Sequence, residues 1–144
     1  MPKANKDGHA RKDEIPSTLR RSDQKAQDTF AQTYDSAQDE YHDSSRAART
    51  AWAAVKHTHE KVGEHWEPKD ENGPSDRRAE GSGRDSPEPT AGGVNANASK
   101  EHLHELARKL DVEGRSTMSK DELVAAIDKA NQRRTRQARE QDKD

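Results

Sequence analysis

Cysteine is absent from this 144-residue sequence, and large aromatic side chains are nearly so: one Phe, two Tyr and two Trp in a chain that is 26% hydrophobic. Without thiols there is no disulfide framework to staple a small fold, and no thiolate to act as nucleophile or soft metal ligand. No run approaches the roughly 18 apolar residues that a membrane span requires. The N-terminal MPKANKDGHARKDE carries charge with no apolar stretch behind it. A signal peptide is therefore not expected, and a cytoplasmic location is. Average soluble domains hold roughly 45–50% apolar and about 25% charged residues. A chain that is 38% charged has too little apolar surface to offset the ordering entropy of all its residues. One continuous core is excluded, and order is expected in small, mainly all-α modules. The formal net charge of −2 excludes an indiscriminate polycation, so local asymmetry carries more information.

What is present falls into segments. Residues 1–13, with Lys3, Lys6, Arg11 and Lys12 against Asp7 and Asp13, read as a flexible basic arm. A first helical module is expected over 14–67. Ser22 is a suitable N-cap, and Ala26, Phe30, Tyr34, Ala37 and Tyr41 then recur at the spacing of one helix face. Ser44 or Ser45 can cap a second helix with Ala48, Trp52, Val55, His59 and Val62 on its face. Two helices joined by a short turn make an αα-hairpin, with Trp52 as the anchor against Phe30 and Tyr34, and with Ile15, Leu19 and Trp66 as lids.

Residues 68–98 hold Gly73, Gly81, Gly83, Gly92, Gly93, Pro68, Pro74, Pro87 and Pro89, with Val94 the sole apolar residue larger than Ala. They read as a disordered linker. A second helix-turn-helix is expected over 99–131. Leu103, Leu106, Ala107 and Leu110 follow the amphipathic rule, Gly114 can take positive φ in the connection, and Ser119 with Glu122 forms a capping box ahead of Leu123, Val124 and Ile127. Residues 132–144 are a tail, basic and then acidic, helical by propensity but lacking an apolar stripe.

Two resemblances follow from these residues. The run IPSTLRRSDQKAQDTFAQTYDSAQDEY, then AARTAWAAVKHTHEKVGEHW, resembles the ChaB family of small bacterial proteins, most clearly in Ile15-Pro16, Ala26-Gln27 and the block Ala51–His57 with Lys61 and Trp66. The resemblance implies a compact helical fold with a minor extended element, and brings the family's label of cation transport regulator. The run NASKEHLHELARKLDVEGRSTMSKDELVAAIDKAN is similar to the Rho_N module, the SAP-like N-terminal piece of the transcription termination factor Rho. The residues that carry it include Leu103, Leu106, Leu110, Gly114, Arg115, Met118, Ser119, Lys120, Leu123 and Ile127. It implies nucleic-acid association and, through the family name, a link to transcription termination.

Phosphate contact needs cations on an ordered face, because neutralised phosphates release counterions. Residues 129–139 contain Lys129, Arg133, Arg134, Arg136 and Arg139 and no acid, a local charge of +5. Arg115 and Lys120 stand nearby in sequence, and the amides opening the second helix of that module can add a phosphate site. These seven side chains are the candidate nucleic-acid-binding residues, for DNA or RNA backbone at low sequence specificity.

Metal and catalytic constellations are weaker. His57 and His59, like His102 and His104, are two residues apart and point in opposed directions while helical. Asp35, Asp39, Glu40 and Asp43 lack the loop that a Ca²⁺ site wants. No nucleophile elbow or phosphate-binding glycine loop is present, and modules this small have no room for a pocket of about 300 Å³. No metal, no cofactor and no enzymatic activity are expected. The leading expectation is a nucleic-acid-associated accessory protein, with nucleoid association as its setting and a protein partner for the ChaB-like module. The alternative is a ChaB-type regulator that contacts a cation transporter.

Overall fold

A computed structural model describes residues 2–73 and 92–142. Its elements are α1 (Ser17–Arg20), α2 (Gln24–Tyr41), α3 (Ser44–Thr58), β1 (His59–Val62), β2 (His65–Pro68), α4 (Lys100–Lys109) and α5 (Lys120–Asp142), with short 3-10 turns at Lys12–Glu14 and Arg115–Thr117. The fold is mostly helical, and β1 and β2 pair as a two-stranded sheet. The chain divides into two compact units, one of residues 1–59 and 66–73, the other of 60–65 and 74–144. Among the described residues, no helix is long and apolar enough to cross a membrane.

In the first unit, α2 packs on α3 around Ile15, Leu19, Ala26, Phe30, Ala31, Ala51, Val55 and Trp66, all buried. The helix starts differ from the serine caps expected from the sequence. Asp23 caps α2, its carboxylate accepting the Ala26 amide at 2.8 Å. Ser22 turns away, donating to the Thr18 carbonyl at 2.7 Å and accepting the Trp66 amide at 2.8 Å. Asp43, not Ser44 or Ser45, caps α3 by accepting the amides of Ser45 and Arg46. In both places a carboxylate lies one or two positions ahead of, or behind, the serine, and it offers a charged acceptor to amides at the positive end of the helix.

Trp52 is half-buried, its ring 4.9 Å from Phe30 and 5.3 Å from Trp66. The deeper aromatic is Trp66, only 4% exposed, with its indole N–H donating to Thr18 Oγ1 at 3.2 Å. The anchor role expected of Trp52 is thus shared, and the residues expected as lids, Leu19 and Trp66, form the floor. Tyr41 lies outside the core, where the Arg46 guanidinium stacks 3.5 Å over its ring.

Helix α3 stops at Thr58, so His59 and Val62 begin a strand instead of continuing a helical face. The run HEKVGEHWE, from His59, has few strong helix formers on a common stripe and a glycine at its middle. Gly63 takes φ 70 there, a conformation that favours glycine.

Residues 2–13 also depart from the expected flexible arm. Ala4 and Ala10 form a β-bridge. The Asp35 carboxylate accepts the amides of Lys3 and Ala4 at 2.9 and 3.0 Å, Asp28 accepts the Ala10 amide at 2.8 Å, and Gln32 donates to the Gly8 carbonyl. The segment's amides thus find acceptors on α2, while Lys3 Nζ donates to the Glu14 carbonyl and lies over the Tyr34 ring.

The second unit has its core in Val62, Val94, Leu103, Leu106, Ala107, Leu110, Val112, Leu123, Ile127 and Ala130. Its described residues include 92–98, which lie ahead of Ser99. Val94 is 1% exposed, and a side chain at Gly92 would collide with the Asp128 carboxylate. Of the expected linker, residues 74–91 lie outside the described residues, while 68–73 and 92–98 are built into the units. Gly114 takes φ 74 as the connection requires. The capping box is present: the Ser119 amide donates to Glu122 at 3.0 Å, and the Glu122 amide to Ser119 Oγ at 3.2 Å. Glu60–His65 group with the second unit.

Candidate nucleic-acid interface

Helix α5 carries most of the candidate cations, and its turn geometry sorts them. Each residue advances about 100° around the axis and 1.5 Å along it. Lys129, Arg133, Arg136 and Arg139 therefore share an arc of about a third of the circumference over about 15 Å, and all four are exposed. Glu140 follows on the same arc and closes the basic run.

The other three candidates are held elsewhere. Arg134, one position on from Arg133, points about 100° away from it and is half-buried. Its Nη2 donates to the Lys109 carbonyl and reaches Asp111 Oδ2, both at 3.4 Å. Arg115 is half-buried and donates to the Val112 carbonyl at 3.0 Å, bracing its own turn. Lys120 is exposed at the opposite side and far end of α5 from Lys129. The start of α5, where a phosphate site was expected, carries the reciprocal Ser119–Glu122 pair. The Glu122 carboxylate accepts the Ser119 amide just ahead of α5 and is held below its usual range by its hydrogen bonds with Ser119, backbone first.

What sequence reasoning missed is the device that holds this helix. Asn131 is fully buried, and its amide uses both ends: Oδ1 accepts the Gly63 amide at 2.6 Å, and Nδ2 donates to the Lys61 carbonyl at 3.0 Å. One turn on, Thr135, 6% exposed, donates to the Gly63 carbonyl at 3.1 Å. An Asn and a Thr four apart in an otherwise charged run were the available signal, because such residues share a face.

Two histidines, His59 and His102, take structural positions. His59 is 1% exposed in β1, its ring Nδ1 2.7 Å from Thr58 Oγ1 and its Nε2 3.2 Å from Asp23. His102 Nε2 lies 2.9 Å from the buried Glu60 carboxylate. Of the acids on and after α2, Asp35 is engaged with the N-terminal amides and Asp43 caps α3. Among the described residues, no three His, Asp or Glu come together as a set able to hold a metal ion.

Residues 15–69 match the ChaB family model, and residues 99–135 match the model of the Rho termination factor, N-terminal domain. No curated protein and no solved structure matches the chain.

Proposed function

We propose that this chain is a non-catalytic nucleic-acid-associated protein whose second unit holds a sugar–phosphate backbone with little regard for sequence, through Lys129, Arg133, Arg136 and Arg139. The observation that carries the reading is their gathering on one exposed arc of α5, on a helix shared with the Rho_N match. Over the roughly 15 Å of that arc the cations meet the backbone of a duplex that carries one negative charge per roughly 1.7 Å of its axis. Residues 92–142 contain no Phe, Tyr or Trp, so base stacking of the single-strand kind has no platform. Contacts of this type position without reading bases. The ChaB-matched segment supports a second role for the protein, contact with a protein partner. The test is a binding titration of the full chain with short mixed-sequence duplex DNA and single-stranded RNA across a salt series. Salt-sensitive binding of unrelated sequences at similar affinity supports the reading, and absence of binding at low salt overturns it.

A further inference from the structure

The C-terminal half of α5 has helix propensity but no apolar stripe to bury. Residues 131–142, NQRRTRQAREQD, contain no apolar side chain larger than Ala. A segment of this length is marginal in water without tertiary support. Its buried support comes from the tip of the sheet, Glu60–His65, which lies in the same unit, and Arg134 adds a more exposed brace to Lys109 and Asp111. Asn131 and Thr135 are buried polar side chains one turn apart, and all three groups they bond are backbone atoms of Lys61 and Gly63. Backbone groups can be gripped this way only if the tip holds its shape, and Gly63 at φ 70 turns its amide and carbonyl toward the same helix.

The tip is itself fixed on three sides. Its Val62 is buried in the unit's core, the Lys61 amide donates to the Gly93 carbonyl at 2.9 Å, and the Glu60 carboxylate meets His102 on α4. It does not slide.

We propose that the ChaB-matched tip is the positioning element of the basic face: by clasping Asn131 and Thr135 it keeps α5 helical beyond Ala130, and so holds Arg133, Arg136 and Arg139 in register with Lys129. Asn131 and Thr135 are then positioning residues for phosphate contact, though neither touches nucleic acid. The two matched families act as one binding device, since the segment bearing one match shapes the cationic face that adjoins the other. This rests on the nucleic-acid reading above, but the clasp can be measured without nucleic acid.

The experiment compares full-length wild type with Thr135→Val, Thr135→Ser and Asn131→Leu. Amide exchange is followed at residues 132–140, and salt-dependent binding is measured with short mixed-sequence duplex DNA. Thr135→Val keeps shape and loses one hydrogen bond. It should speed exchange at 132–140 by about tenfold, the shift in local opening that removal of one buried bond produces. Protection at Leu103, Leu106 and Leu123 should stay as it is, which separates the effect from unfolding of the unit. Duplex affinity should fall several-fold, and Thr135→Ser should restore both readouts. Asn131→Leu should act in the same direction and more strongly.

Unchanged exchange at 132–140 in Thr135→Val and Asn131→Leu overturns the clasp. Faster exchange with unchanged affinity overturns the positioning role. Wild type that fails to bind duplex at low salt overturns the nucleic-acid reading and the positioning role with it, while the exchange data still decide whether the tip holds the helix.

Discussion

Asp23 serves two partners at once: its carboxylate caps α2 through the Ala26 amide and faces the buried ring of His59, whose Nε2 lies 3.2 Å from Asp23 Oδ1. Residues 36 positions apart thereby fix the start of a helix and the start of a strand with one side chain. Replacing it with Ala removes a cap, worth about 1 kcal/mol, and leaves a buried imidazole with one nitrogen unpaired, a further cost of about 1–3 kcal/mol. Asp23→Ala should lower the urea midpoint of the first unit accordingly. Both tryptophans of the chain, Trp52 and Trp66, sit in that unit, so their fluorescence reports it selectively. An unchanged midpoint would remove the double role.

The aromatic cluster makes a second prediction by rank. Trp66 is nearly fully buried and hydrogen-bonded to Thr18, whereas Trp52 is half-buried. Trp66→Ala should cost about 3–5 kcal/mol, the usual figure for truncating a core aromatic, and unfold the first unit. Trp52→Ala should cost distinctly less. Equal losses in chemical denaturation, or the reverse order, would put the anchor back at Trp52.

The arginines of α5 separate in the same manner. Arg133, Arg136 and Arg139 changed together to Gln should flatten the slope of log K against log salt by about 2.7, since each duplex phosphate left without its cation removes about 0.9. Arg134→Gln should leave the slope nearly unchanged and instead lower stability slightly, because its guanidinium braces Lys109 and Asp111. A slope change as large for Arg134→Gln as for any outward arginine contradicts the sorting.

The N-terminal segment should respond to pH. The hydrogen bond that His9 donates to Asp28, and the charge of that carboxylate, raise His9 above its usual 6.5. Burial pushes Asp28 upward, but hydrogen bonds from His9, the Ala10 amide and Gln24 outweigh it and leave Asp28 below its usual 3.8. The His9 contribution is complete below pH 6.5 and lost as pH rises through its raised value. The Asp28 contribution is complete above pH 3.8 and lost as pH falls through its lowered value. The segment should therefore be held best between those two values and loosen toward alkaline pH. Titrating the Ala10 amide resonance from acid to mild alkali checks this: it should follow the His9 ring, and His9→Gln should flatten it.

Much of the helical layout was legible because periodicity is a local signal. The stripe Ala26, Phe30, Tyr34 marked α2, and Leu103, Leu106, Ala107, Leu110 marked α4. Ser119 and Glu122 marked the start of α5 within a residue. The caps of α2 and α3 went to neighbouring aspartates because serine and aspartate compete for the same amides, and pattern alone does not rank them. His59 was read into a helix because its burial depends on Asp23, a partner far away in sequence. The tip of the sheet escaped for a related reason: Lys61 and Gly63 contribute backbone atoms, and backbone atoms leave no mark in a sequence. The seven candidate cations were found by charge, but which ones share an arc became visible only when α5 was seen to continue unbroken past Ala130.

The clasp between residues 61–63 and Asn131 also sets a schedule for synthesis. A chain made from its N-terminus has residues 60–65 outside the ribosome well before residues 131 and 135 exist. At about 5–20 residues per second, the interval between finishing Gly73 and finishing Thr135 is about 3–12 s. Until then the Gly63 amide and carbonyl lack the partners that Asn131 and Thr135 supply. The charged neighbours Glu60, Lys61 and Glu64 flank the single valine, Val62, and keep the waiting tip polar.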